Sequence, residues 1–282
     1  MSKTNFTKRK AKGLVWGACG LLFLCLVALI ITSCEENSLE WLADDSSYEA
    51  RLEDARMAID DREYASARDL LLQLKEEYPD DPLILQYLSN AYAGLIGLDT
   101  FNLLTTIDQL IDANETGNID MVGKVLGSET GTINKDDIDD ILANLDKAIS
   151  SLGEIPNPTD DQVVQLGLLS LNHAAVTIAD IVADDTGADQ VTLTEDGLAA
   201  IYGGQAPDLT EEATAERLDN LSEDMDKIGK AVNSIANISG IDSGQENDLY
   251  ESFDEFRRDI DPDEDESITQ QELQDYLGSL QS

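Results

Sequence analysis

The stretch from Val163 to Ile178 most narrows what this chain can become. Val163, Val164, Leu166, Leu169, Leu171 and Ile178 leave almost no polar face, so a helix here belongs at the centre of a fold. Other apolar residues recur at helical spacing on either side of it. Ile138, Ile141, Leu142, Leu145 and Ile149 make one stripe, and Leu218, Leu221, Met225, Ile228, Val232, Ile235 and Ile238 make a longer one. Thr210-Glu-Glu and Asn157-Pro-Thr-Asp read as helix starts. Loops rich in Gly, Asn, Asp and Thr separate the helices at 113–134, 184–197 and 203–209, and the last two carry no clear element. Little of the chain alternates with a period of two. The expected fold class is all-α.

Between residues 48 and 97 the spacing becomes repeat-like. Ala55, Ala58, Tyr64, Ala67, Leu71, Leu74 and Pro79 are followed by Leu85, Leu88, Ser89 and Tyr92. Small residues (Ala55, Ala67, Ser89) let paired helices approach, Tyr64 and Leu71 fill the groove, and Pro79 stops one helix before the next begins. The pattern resembles the tetratricopeptide repeat family over about one and a half units. Such arrays need about three repeats, so later helices must complete the core. Beyond Tyr92, the run Gly94-Leu-Ile-Gly97 does not read as a repeat helix.

Near the C-terminus, Asp261, Asp263, Asp265, Ser267, Thr269 and Glu272 fall at positions 1, 3, 5, 7, 9 and 12 of a twelve-residue loop. Calcium is a hard cation that takes roughly six to eight oxygens, and this spacing turns successive oxygens toward one centre. Asp261, Asp263 and Asp265 would give carboxylates, Ser267 its carbonyl, Thr269 a direct or water-mediated contact, and Glu272 two oxygens. Apolar residues flank the loop at helical spacing: Leu249, Phe253, Phe256 and Ile260 before it, Leu273, Tyr276, Leu277 and Leu280 after it. Over roughly residues 246–281 the chain resembles the EF-hand family. That resemblance implies calcium as the cofactor and Ile268 as a backbone bridge to a partner loop. The family places Gly at position 6, where φ is positive, and this chain has Glu266 there. An L-residue in that conformation costs on the order of 1 kcal/mol. The bland alternative is an acidic helix–turn–helix without an ion. A weaker echo, Asp112 to Gly123, has the oxygen pattern and Gly117 at position 6 but ends on glycine. It reads as a polar loop or as a degenerate partner loop.

The N-terminus addresses the chain. Residues 1–33 hold five Lys or Arg and no Asp or Glu, and Leu14 to Ile31 is an apolar run. A basic segment followed by an apolar core reads as an export signal. The run ends in Ile31-Thr32-Ser33-Cys34, which resembles the lipobox of bacterial lipoproteins. By that resemblance Cys34 carries a diacylglyceryl thioether and an acylated amine, and it anchors the chain in a membrane. An uncleaved transmembrane helix is the competing reading. Glu35, rather than Asp, after the cysteine points to the outer membrane, facing the periplasm or the exterior. Cys19 and Cys25 lie in the signal, so the mature chain would have no free thiol and no disulfide.

The chain carries a net charge of −40, and loss of the five leader cations makes the remainder about −45. Such a surface repels nucleic acid and attracts divalent cations. A marine or halophilic source would account for much of it. The one histidine, His173, lies inside the central apolar helix and reads as a core residue bonded to a carbonyl. With one His and no free Cys, Cys–His chemistry and transition-metal clusters are excluded. Gly117 to Lys124 has the wrong spacing for a phosphate loop and lacks its Ser or Thr.

The expected architecture is a helical-repeat-like bundle with a C-terminal EF-hand helix–loop–helix. Residues 1–33 are a signal, 34–47 a tether, 48–97 tetratricopeptide-like helices, 98–240 a helical bundle and 241–282 the EF-hand. The expected function is a non-catalytic, lipid-anchored, calcium-binding interaction lipoprotein of the bacterial cell envelope, with a protein partner in its helical groove. The alternative is a helical-repeat component of a solute transporter or an outer-membrane assembly system. An enclosed apolar cavity beneath helix 161–182 would favour ligand handling, and a filled core would favour partner binding.

Overall fold

The computed structural model describes residues 47–98, 132–192, 195–203, 208–209, 211–239 and 257–279. The N-terminal signal with Cys34, the loop from Asp112 to Gly123 and the stripe Leu249, Phe253 and Phe256 lie outside the described residues. The chain divides into two compact units, Met1–Arg51 and Leu52–Ser282. Of the first, only residues 47–51 are described, a short stretch that runs into the first helix. The second unit holds the rest.

The fold is all-α, as its spacing predicts. The repeat-like stretch forms α1 (Tyr48–Asp60), α2 (Tyr64–Glu77) and α3 (Pro82–Leu95). Asp81 caps α3 by accepting from Leu83 N–H at 2.9 Å, and Pro82 occupies the first turn, where no N–H is needed. Ala55, Ala67, Leu71, Leu85 and Ser89 are fully buried. Helix α3 runs through Gly94, and that residue is where Tyr64 of α2 rests. A Cβ on Gly94 would lie 2.3 Å from the tyrosine ring. The glycine that interrupts the sequence pattern is therefore the seat of an aromatic side chain. Gly97, at φ +84°, then turns the chain out of the helix.

The later helices follow their stripes. They are α4 (Lys135–Gly153), α5 (Asp160–Thr186), α6 (Glu195–Tyr202), α7 (Glu211–Ser239) and α8 (Gln270–Ser279). Thr159 rather than Asn157 caps α5, in a reciprocal box. Its N–H donates to Gln162 Oε1 at 2.9 Å, and its Oγ1 accepts from Gln162 N–H at 3.4 Å. Two three-residue strands, β1 (Thr132–Asn134) and β2 (Gln190–Thr192), pair antiparallel through Ile133 and Val191. They fall in stretches read from sequence as loops, because three residues are too short to show alternation.

Neighbours pack in sequence order: α2 on α3, α3 on α4, α4 on α5, and α5 on α7 most extensively. Helix α5 is long and apolar enough to cross a membrane, but nearly all of its most apolar stretch is buried within the fold. It meets α7 at a point of minimal bulk. A Cβ on Gly167 would lie 2.1 Å from the Ala231 Cβ. Close approach there lets the flanking layers interdigitate, including Leu169, Ile178, Leu221 and Met225, all buried.

His173 projects from α5 into this seam, and its partners are carboxylates rather than a carbonyl. Its Nδ1 lies 2.6 Å from Asp224 Oδ2 on α7, and its Nε2 lies 3.2 Å from Asp146 Oδ1 on α4. Burial opposes charge on the ring, but the bond to Asp224 and the charges of Asp224 and Asp146 outweigh it, so the pKa is raised. Burial also raises the pKa of Asp224, against the pull of His173. Both shifts mean that the folded pair holds its proton more tightly than the unfolded chain does.

Gly167→Ala should destabilise the chain by about 1–3 kcal/mol in urea unfolding through overpacking. Gly153→Ala, where a Cβ meets nothing within 4 Å, should be neutral or stabilising by up to about 1 kcal/mol. The His173 contribution is fully present below its unfolded pKa of about 6.5 and lost as pH rises through the raised folded value. Denaturant unfolding from pH 6 to 9 should therefore show stability falling with pH. His173→Leu should cost about 3–5 kcal/mol at pH 6, because Asp224 is left buried without its partner.

Candidate metal centre

The candidate centre is the loop between the helical turn at residues 257–260 and α8. It begins from a buried anchor. Ile260 is fully buried, and Asp261 is only 3% exposed. The Asp261 carboxylate accepts from two loop amides, Asp265 N–H at 3.3 Å and Glu266 N–H at 3.2 Å. Asp265 in turn accepts from Ser267 N–H at 2.9 Å. These bonds curl the backbone around its own carboxylates.

The curl needs left-handed residues. Glu264 has φ +57° and Glu266 has φ +68°. Glu266 thus adopts the conformation for which glycine is suited, at the position where the loop pattern calls for one. Arg257 Nη2 reaches Glu264 Oε2 at 3.3 Å.

Asp261, Asp263 and Asp265 come together, with one oxygen from each within 4.8 Å of the others. Oxygens on one cation at calcium distances stand at most about 5 Å apart, twice the metal–oxygen distance of roughly 2.3–2.6 Å. These three carboxylates therefore fit part of the shell of a hard divalent cation in kind and spacing. Partial desolvation, then the charges of Asp265 and Glu272, raise the Asp263 pKa above the usual carboxylate range.

The other expected ligands, Ser267, Thr269 and Glu272, are engaged in hydrogen bonds of their own. Glu272 Oε2 accepts from Thr269 N–H at 2.8 Å and from Thr269 Oγ1 at 2.7 Å. The Glu272 N–H donates back to Thr269 Oγ1 at 3.3 Å. Thr269 and Glu272 are thus held together as the cap of α8. Ser267 is exposed, with its amide on Asp265.

Ile268 is buried, and its N–H donates to Ser222 Oγ on α7 at 2.9 Å. The EF-hand resemblance implies a partner loop for this amide. Nothing in the local sequence marks Ser222, a single hydroxyl on a polar helix turn. A groove of about 250 Å³ runs between α7 and the loop, lined by Ser222, Asp226, Lys230, Arg257 and Glu266 among others. A second cleft of about 160 Å³ lies against α5, lined by Ile96, Ile133, Leu145, Asn172 and Val176 among others. Asn172 is buried beside it, with an Oδ1 that has no hydrogen-bond partner.

Neither a protein-family model, nor a curated protein, nor a solved structure matches this chain.

Relief of the left-handed strain gives a direct check on the loop. Glu266→Gly should raise the stability of the metal-free chain by about 1 kcal/mol in urea unfolding.

Proposed function

We propose that this chain is a non-catalytic, calcium-binding interaction lipoprotein, anchored through Cys34 in the bacterial cell envelope. The single observation that carries the calcium reading is the convergence of Asp261, Asp263 and Asp265 within 4.8 Å. Like charges that close repel, and one divalent cation removes the repulsion while satisfying all three. Thr269, Glu272 and the Ser267 carbonyl would complete the shell, with Glu272 leaving its cap to do so. The metal is structural in this reading: it rigidifies the C-terminus and is not a switch.

The helical array supplies the partner-facing part. Met57, Leu72, Tyr78 and Leu83 are large apolar side chains exposed on α1 to α3 and at their ends. A protein partner lying against these tetratricopeptide-like helices would cover such groups. The lipid anchor rests on the lipobox-like Ile31 to Cys34. A net charge of −40 argues against nucleic acid as the partner. The second reading, a helical-repeat component that handles a small ligand, would use the cleft against α5 with Asn172 Oδ1 beside it, although that cleft is open and mixed in polarity rather than enclosed and apolar.

The test is thermal melting of residues 35–282 in calcium and in chelator, alongside Glu272→Gln. At calcium one hundred times its Kd, binding should stabilise the fold by about 2.7 kcal/mol. That should raise the midpoint by roughly 5–10 °C for a chain of this size. Glu272→Gln should lose most of the shift. No shift, together with no heat in a direct calcium titration, would overturn the calcium reading.

A further inference from the structure

The Ile268 amide lies between two candidate ligand positions, Ser267 and Thr269, and the side chain it belongs to is buried. A buried amide without an acceptor is expensive. In the EF-hand resemblance that acceptor is expected from a second loop. Here the acceptor is Ser222 Oγ, at 2.9 Å, across 46 residues of chain. The same hydroxyl donates to Leu218 O at 2.8 Å, within its own helix. A hydroxyl can donate once and still accept, so both bonds coexist and the group is aimed at the loop. A second tether lies one step on, where Gln270 Nε2 donates to Leu209 O just ahead of α7. Beyond it, Leu273 and Leu277 of α8 are buried.

We propose that α7 takes the place of a partner loop among the described residues, with Ser222 as the positioning residue that fixes the centre of the candidate metal loop. The metal-dependent part rests on the calcium reading above, and the docking part does not. Ile268 is the pivot of the loop: Asp261, Asp263 and Asp265 precede it, and Thr269 and Glu272 follow it. Holding its amide on a helix of 29 residues removes freedom that the loop would otherwise lose on taking up an ion. Helix α7 also carries Asp224, two positions from Ser222, and Asp224 pairs with His173 at the α5 seam. Calcium affinity and the stability of the α5–α7 pair are thereby linked: an ion that tightens the loop tightens the helix it hangs on.

The experiment uses residues 35–282, which hold every described residue and omit the leader and Cys34, with calcium chloride as the probe. Ser222→Ala removes the acceptor, and Ser222→Thr keeps a hydroxyl in the same place. Two quantities are read: calcium Kd by titration calorimetry, and hydrogen exchange of the Ile268 amide in the metal-free protein. Ser222→Ala should weaken calcium binding about tenfold and should abolish the slow exchange of Ile268. Ser222→Thr should restore both. Slow exchange at Ile268 that survives Ser222→Ala would overturn the docking. A calcium Kd unchanged in Ser222→Ala, in a wild type that does bind, would overturn the coupling and leave the calcium reading intact. If the wild type binds no calcium, the calcium reading and the coupling fall together. The docking is then decided by the exchange of Ile268 alone. Loss of global folding in Ser222→Ala would show as fast exchange throughout the core, and Ser222→Thr against wild type then decides. A threonine variant that folds but has lost Ile268 protection would overturn the proposal.

Discussion

Positive charge is the scarce resource in this fold, and its placement governs how the helices meet. The chain has 18 Lys and Arg against 58 Asp and Glu. Where the three helices α4, α5 and α7 meet, the buried carboxylates of Asp180 and Asp224 and the exposed ones of Asp146 and Asp184 beside them are met by cations. Arg217 on α7 bridges Asp180 and Asp184 on α5, both at 2.6 Å, and Lys135 on α4 reaches Asp184 at 2.8 Å. His173 serves the deepest site, between Asp224 and Asp146. A lysine would bring a longer stem and a more strongly hydrated head into that position. The imidazole is short, flat and two-sided, so it can bond carboxylates on two different helices from a single position. Gly167 and Ala231 bring α5 and α7 close enough for the ring to reach.

Most of this was legible as pattern and little of it as pairing. The stripes at 138–149 and 218–238 become α4 and α7 because one face of each is apolar, and the near-continuous run after Val163 becomes the buried α5. Periodicity reports a face. It does not report what the face meets. His173 and Asp224 are 51 residues apart, and Ile268 and Ser222 are 46 apart, so neither pair leaves a local trace. Gly94 shows the limit from the other side. In the sequence it breaks a repeat; in the fold its missing side chain is the space occupied by the Tyr64 ring. The candidate loop is the reverse case. Its ligands lie within twelve residues, so chemistry and spacing are both local, and Asp261, Asp263 and Asp265 could be chosen without a fold. The same stretch, Thr269-Gln-Gln-Glu272, also has the spacing of a capping box, and that is the role Glu272 fills at the start of α8.

The general acidity of the surface and the acidity of the loop call for different remedies, and distance separates them. Charges scattered over a protein surface are relieved by ordinary salt once they are further apart than the Debye length, about 8 Å at physiological ionic strength. Oxygens of Asp261, Asp263 and Asp265 within 4.8 Å of one another sit inside that length. Even about 1 M salt, with a Debye length near 3 Å, only begins to separate them. A saline habitat would thus account for the dispersed carboxylates on the helices without accounting for this cluster. Three carboxylates held this close by backbone amides keep most of their repulsion until something occupies the space between them. A monovalent ion brings one charge to that space. A divalent ion brings two and takes the roughly six to eight oxygens that a curled loop with flanking hydroxyls can offer. Under the proposed calcium reading, spacing of this kind would favour a divalent ion over bulk salt.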